Sequence, residues 1–301
     1  MDSRRTLVVD AFCSEPLSGN PAGVVPNAEG LTAEQMGNVA RELNASETAF
    51  ILPAEDAVRR LRFFTPTREI DLCGHATVAA LSHLFEDGAI EAGTHSIETA
   101  AGAIEVDVDP DGTVWMHTEQ PTVETVDADL DRIAAALGAD PATLRDVGSD
   151  LPVAVATAGV SFLVVPLNFL SAVSGLDPDL GAITDLSAEF DVTGLYAFSF
   201  DALSPDGTLH ARMFAPAAGV EEDPVTGTAS AAVGAYLRSV GAFDGDLPEE
   251  MVFEQGHFID RPGTVRVRAQ DDPVVVGGEA TTALDGELFV PPVDDDGIIE
   301  A

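Results

Sequence analysis

Two stretches of this 301-residue chain place reactive side chains in a shared pattern. Residues 68–84 read REIDLCGHATVAALSHL, and residues 221–233 read EEDPVTGTASAAV. Each runs from acid through a turn to glycine and then to a helix of small residues. A helix entered through glycine offers unpaired backbone N–H groups and a positive dipole end, where anions bind. Cys73 and His75 flank Gly74, while Asp223 and Thr228 stand near Gly227. Imidazole and carboxylate groups can carry protons to and from a bound anion. On the glycines alone, the plainer reading is two capped, tightly packed helices. The polar neighbours tip the reading toward a site.

The two stretches belong to a longer internal repeat. RFFTP at 62–66 matches RMFAP at 212–216, 150 residues later, and GHAT at 74–77 matches GTAS at 227–230, 153 residues later. Each half therefore gives a strand, Phe-x-Pro, a loop, glycine and a small-residue helix. In the first half, strands are expected at 6–10, 47–52 and 60–64, with the turn-rich PLSGNPAGVV leading into another. Thr32 is expected to cap a helix to about Leu43, a second helix spans 76–85, and an Asp-Gly hairpin covers 104–117. Residues 118–128 are polar without an apolar period and read as a boundary. Beyond it come a helix at 129–137, strands within 153–165, and a helix opened by Asp177-Pro178. A second Asp-Gly hairpin follows at 195–214, then the helix after Thr228 and strands at 251–255 and 264–269. The acidic end, DDDGIIEA, reads as a loose tail.

Composition narrows the chemistry. There are 14 basic residues, all arginine, against 52 acidic ones, for a net charge of −38. Without a basic face, nucleic acid is excluded as a partner. Without lysine there is no Schiff base to pyridoxal phosphate and no phosphate-loop lysine. Such a surface suits concentrated salt, where its carboxylates are screened. Two cysteines, Cys13 and Cys73, make no disulfide framework, and MDSRRTLVVDAF has too short an apolar run for a signal peptide, so a cytoplasmic protein is expected. Residues 151–176 carry no charge and are long enough to span a membrane. Pro152, Gly159, Pro166 and Asn168 break them into two buried strands and a helix start, so no membrane partner is expected. The six histidines are scattered without a metal-binding motif, so no metal is expected, and no G-x-S-x-G elbow marks a hydrolase.

Five motifs in order, SGNPAGVV, RELNASETAFIL, RFFTPTREIDLCGHAT, RMFAPAAGVEEDPVTGTASAA and QGHFIDRPGTVRV, resemble the PhzF-like isomerases of the phenazine-biosynthesis family. The similarity covers roughly residues 6–290. It implies an α+β fold of the diaminopimelate epimerase type, with two pseudo-symmetric halves, each a curved sheet around a central helix, and a site in the cleft between them. The halves would be 1–117, with about 279–292 returning to it, and 118–278. The resemblance implies cofactor-independent movement of a proton between carbons of a small anionic substrate. Glu47 looks like the family's general acid/base, and His75 and Asp223 match residues that orient substrate and assist transfer. Asn20 matches a substrate contact, and Thr228 stands where the phenazine enzyme has serine. Gly74 and Gly227, with Cys73 beside them, belong to the substrate-binding helix starts. A homodimer is expected, as is usual in the family.

Two other readings stand beside it. Related epimerases use two opposed thiols; Cys73 fits the first position, but its counterpart is Thr226 and Cys13 lies outside the repeat. A thiol-assisted epimerase would use Cys73, with Glu47 working on the opposite face of the substrate. A catalytically inactive binding member of the family would tolerate loss of Glu47. The charge yields a test of its own: the unfolding midpoint, followed by circular dichroism, should rise between dilute buffer and molar salt. The screening length falls to about 3 Å at 1 M, and a flat response would refute this account of the surface.

Overall fold

The computed structural model describes residues 2–147 and 151–292, so the DDDGIIEA tail lies outside the described residues. The first half runs β1 (Asp2–Ala11), β2 (Asn20–Val25), α1 (Ala33–Leu43), β3 (Glu47–Leu52), β4 (Arg59–Phe64), β5 (Glu69–Ile70), α2 (Gly74–Glu86), β6 (Gly93–Thr99), β7 (Gly102–Val108) and β8 (Val114–His117). The second runs β9 (Thr122–Thr125), α3 (Leu130–Leu137), α4 (Pro141–Arg145), β10 (Ala154–Thr157), β11 (Ser161–Pro166), α5 (Leu170–Ser174), α6 (Leu180–Phe190), β12 (Gly194–Ser199), β13 (Leu209–Ala215), β14 (Val220–Asp223), α7 (Gly227–Ser239), β15 (Met251–Gln255), β16 (Gly263–Arg268) and β17 (Val275–Gly278). The last strand, β18 (Ala280–Val290), pairs with β1.

Local chemistry explains the helix boundaries. Thr32 and Gln35 exchange a capping box at the start of α1, and Asn44 closes it in the left-handed region at φ 52°. Asp129 caps α3, and Gly138 ends it at φ 64°. The helix expected to open at Asp177-Pro178 is instead capped by Asp179, whose carboxylate accepts from Ala182 N. The polar stretch 118–128 is not structureless, since it contains β9, which pairs with β10. Its Thr-Val-Glu-Thr run is an edge strand with one inward apolar side chain, so it shows no apolar period. The uncharged stretch 151–176 forms β10, β11 and α5. No helix among the described residues is long and apolar enough to cross a membrane.

The strand pairings repeat. In the first half the spatial order is β18, β1, β2, β3, β4, β6, β7, β8. In the second it is β9, β10, β11, β12, β13, β15, β16, β17. Read in those orders, both halves give the same series of senses: two antiparallel pairs, one parallel, one antiparallel, one parallel, then two antiparallel. The short β5 and β14 hang antiparallel on β4 and β13. An antiparallel β8–β17 pair joins the halves.

Each half wraps one central helix, α2 or α7, and both helices bury their alanines in one continuous core. Small residues are required by how closely the strands approach. A Cβ on Gly234 of α7 would stand 2.7 Å from Val267 Cγ1. The outer faces are covered by α1 on the first half and by α3 to α6 on the second.

Phe12 wedges the halves together. It is 2% exposed. Its N–H donates to Glu279 O at 2.7 Å, and its carbonyl accepts from Thr264 N at 2.8 Å. Its ring fills the space before Gly227 and Gly278, where added Cβ atoms would come within 3.1 and 2.6 Å of it. Nearby, Arg261 Nη2 pairs with the buried carboxylate of Asp10 at 2.7 Å. Removing the wedge leaves a cavity at the junction. Phe12→Ala should cost about 3–5 kcal/mol, read from denaturant unfolding. A wild-type midpoint would show that the junction is held by other contacts.

Candidate active site

Both central helices begin without a capping side chain. Cys73 stands before α2 and Thr226 before α7, each with extended backbone and neither making a cap hydrogen bond. On α2 the N–H groups of His75 and Ala76 turn toward the Cys73 sulfur, a weak acceptor that leaves them open to a stronger one. Gly74 faces open space, with no heavy atom within 4 Å of where its Cβ would be. Gly227 is held close to the Phe12 ring. His75 and Thr228 are the second residues of the two helices, both partly buried.

The first half contributes a cluster around the His75 imidazole. Glu47, the first residue of β3, places Oε2 3.3 Å from His75 Nε2, with side-chain exposures of 21% and 12%. Ser46 Oγ lies 3.3 Å from the same nitrogen. Cys73 Sγ lies 3.4 Å from Nδ1. Burial, followed by the Glu47 charge, pushes the Cys73 thiol well above its ordinary range. At neutral pH it is a thiol rather than a thiolate, which makes it a poor base and nucleophile. One donor atom each from Glu47, Cys73 and His75 lies within 4.8 Å of the others, so these three could hold a metal ion.

The second half contributes Asp223, the last residue of β14. Asn20 Nδ2 donates to its Oδ1 at 3.0 Å and to Val225 O at 2.8 Å. The Thr226 hydroxyl donates to its Oδ2. Gln255 braces this pair. Its Nε2 donates to Asp223 O at 2.7 Å and to Thr226 Oγ1 at 3.1 Å, and its Oε1 accepts from Thr226 N at 3.2 Å. Burial raises the Asp223 carboxyl above its ordinary range. The Thr226 hydrogen bond, His75 and Asn20 oppose the rise, and the Glu47 charge adds to it. The Asp223 carboxyl thus senses both His75 and Glu47 of the other half.

Of the residues singled out in the sequence, Glu47, Cys73 and His75 form one cluster and Asn20 and Asp223 the other. The Asn20 amide nitrogen is committed to the protein, holding the loop that leads into α7. Ser46, Thr226 and Gln255 were not singled out as site residues. Ser46 adjoins Glu47 within SETAF, Thr226 is the repeat partner of Cys73, and Gln255 opens the QGHF motif.

A family model described as phenazine biosynthesis-like protein matches residues 9–286. An uncharacterized isomerase, YfhB of Bacillus subtilis, is 36% identical, with 95% of this chain and 96% of the relative covered. The trans-2,3-dihydro-3-hydroxyanthranilate isomerase of Pseudomonas aeruginosa is 30% identical, with 95% and 99% covered. The crystal structure of a Bacillus anthracis phenazine biosynthesis protein of the PhzF family superposes with a TM-score of 0.86 at 30% identity, covering 96% of this chain and all of that one (100%). A hydroxyproline epimerase from Agrobacterium vitis shares the fold alone, with a TM-score of 0.61 at 16% identity over 96% of this chain and 91% of that one. The duplicated architecture is thus the diaminopimelate epimerase-like fold.

The Asp223 network makes a signed prediction. The Thr226 hydroxyl favours the ionised carboxyl by donating to it. Thr226→Val keeps the shape and removes that donor, so the Asp223 pKa should rise further. Carbon-13 NMR titration of the carboxyl would measure this, and an unmoved or lowered midpoint would overturn the assignment.

Proposed function

The chain belongs to the phenazine biosynthesis-like family and is an isomerase of it, and on that premise we propose that it moves a proton between carbons of a small carboxylate-bearing metabolite, without a cofactor, using Glu47 as general acid and base. The observation that carries this reading is the Glu47 carboxylate set 3.3 Å from His75 Nε2, beside two helix starts whose N–H groups are uncapped.

The steps follow from the side chains. The substrate carboxylate accepts hydrogen bonds from the first-turn N–H groups of α2 and α7, with the Thr228 hydroxyl at the rim. These donors come from rigid helices, so they need no reorganisation as charge develops. Glu47 takes a proton from one carbon and returns it to another. His75 orients the Glu47 carboxylate between the two transfers. Asp223, held by hydrogen bonds from Asn20 and Thr226, helps to orient the substrate and assists the transfer. The Cys73 thiol, held protonated by burial and Glu47, is not the base. The P. aeruginosa relative is named for trans-2,3-dihydro-3-hydroxyanthranilate, which carries a carboxylate and is the first acid to try.

Glu47→Gln keeps size and hydrogen bonding but cannot take a proton at neutral pH. Solvent deuterium exchange into trans-2,3-dihydro-3-hydroxyanthranilate and related small acids should fall at least 10²-fold. Binding measured by calorimetry should persist, because the anion-binding N–H groups are untouched. Near-normal exchange in a folded variant would remove Glu47 from the role and leave His75 or Asp223 as the base.

A further inference from the structure

We propose that Glu47, Cys73 and His75 form a binding site for a thiophilic divalent cation of the zinc or cobalt class. The sequence carries no metal motif, because one donor lies 26 residues before the next and on a different element. The fold brings β3 alongside the start of α2 and gathers a carboxylate, a thiol and an imidazole. One donor atom from each lies within 4.8 Å of the other two.

The spacings suit a tetrahedral ion. Zinc bonds of roughly 2.0–2.3 Å to nitrogen, oxygen and sulfur place neighbouring ligand atoms about 3.3–3.6 Å apart. His75 Nε2 is 3.3 Å from Glu47 Oε2, and His75 Nδ1 is 3.4 Å from Cys73 Sγ. A single ion uses only one of the two nitrogens, so the donor beside the other must draw in, from within 4.8 Å, to reach that spacing. Three protein ligands leave the fourth position for water. Ser46 Oγ, 3.3 Å from His75 Nε2, is placed to hold the imidazole or that water.

Electrostatics favour a cation here. The Glu47 carboxylate lies against the cluster, 3.3 Å from His75 Nε2, so a cation bound there meets an anionic partner. On binding, the thiol proton leaves to solvent and the sulfur bonds to the metal, leaving the ion and the Glu47–Cys73–His75 set neutral overall. A thiolate and an imidazole select zinc or cobalt over magnesium or calcium, which take oxygen ligands in larger number. The consequence rests on the proposed function above. A bound ion ties up the Glu47 carboxylate that would move the proton, so the loaded protein is held inactive until the ion is withdrawn.

Cobalt(II) is the probe, titrated into the full chain with magnesium in excess to occupy the carboxylate-rich surface. The expected result is one saturable equivalent with a thiolate-to-cobalt band in the near ultraviolet and tetrahedral bands in the visible. Cys73→Ser should abolish the near-ultraviolet band, and Glu47→Gln should keep it while weakening binding tenfold or more. No saturable band, or a band unchanged in folded Cys73→Ser, would overturn the site. The band is read without substrate, so it separates the two readings. Proton exchange without a band removes the cation site and keeps the isomerase; a band without exchange does the reverse.

Discussion

A single side-chain amide ties the two halves together at the site. Asn20 begins β2 in the first half, and its Nδ2 donates to the Asp223 carboxylate and to Val225 O in the second, 203 and 205 residues away. Asn20 is only 2% exposed, so these bonds form where water does not compete and an unmade partner would be costly. They set the approach to α7, and hence where its first N–H groups point. Around this bond the junction is over-determined, by the Phe12 wedge, the Asp10–Arg261 ion pair and the β8–β17 strand pair. The chemical groups come from opposite halves, so their mutual geometry is only as good as this junction.

The scaffold is symmetric and the chemistry is not. Thr48 lies opposite Phe64 and Leu195 opposite Phe214, in strands that are repeat partners. Glu47 therefore corresponds to Gly194, the residue before Leu195. Phe63 pairs with Ile70 as Met213 pairs with Asp223, so the acid of the second half corresponds to an apolar residue in the first. Cys73 and His75 correspond to Thr226 and Thr228. What both halves keep is the glycine-led, uncapped helix start, which suits an anion from either side. A substrate held by its carboxylate between the two helix starts, as proposed, would meet different groups on its two faces. Such an arrangement would suit a proton moved between two inequivalent carbons.

The repeat was legible because glycine, Phe-x-Pro and small-residue helices leave local marks that survive divergence. Helix α1 announced itself through Thr32 and Gln35, and the Asp-Gly hairpins through their turns. Strand order could not be read, since the parallel pairs β2–β3 and β11–β12 are made by crossovers and not by turns. Strands β5, β6, β9, β14, β17 and β18 and helix α4 were missed because they are short or half-exposed, so apolar periodicity is weak. At the site, Glu47, His75 and Asp223 were reachable only through their motif context. Fifty-two acids make any one carboxylate inconspicuous. Gln255 and Thr226 matter because the fold brings them together across 29 residues, and no local pattern encodes that meeting.

The net charge of −38 bears on the site from a distance. The anionic substrate proposed above would approach a protein that repels it, and the described site holds Glu47 and Asp223 but no arginine among its named groups. Attraction would then come from short-range, fixed partial charges, chiefly the N–H groups that open α2 and α7. Salt separates the two effects. At about 1 M, screening reduces the reach of the surface field to about 3 Å. Contacts made by hydrogen bonds inside the partly buried site are affected far less. The uncapped helix starts are thus suited to an acid-rich protein, because they would hold an anion without a cationic side chain whose charge the surrounding carboxylates would compete for.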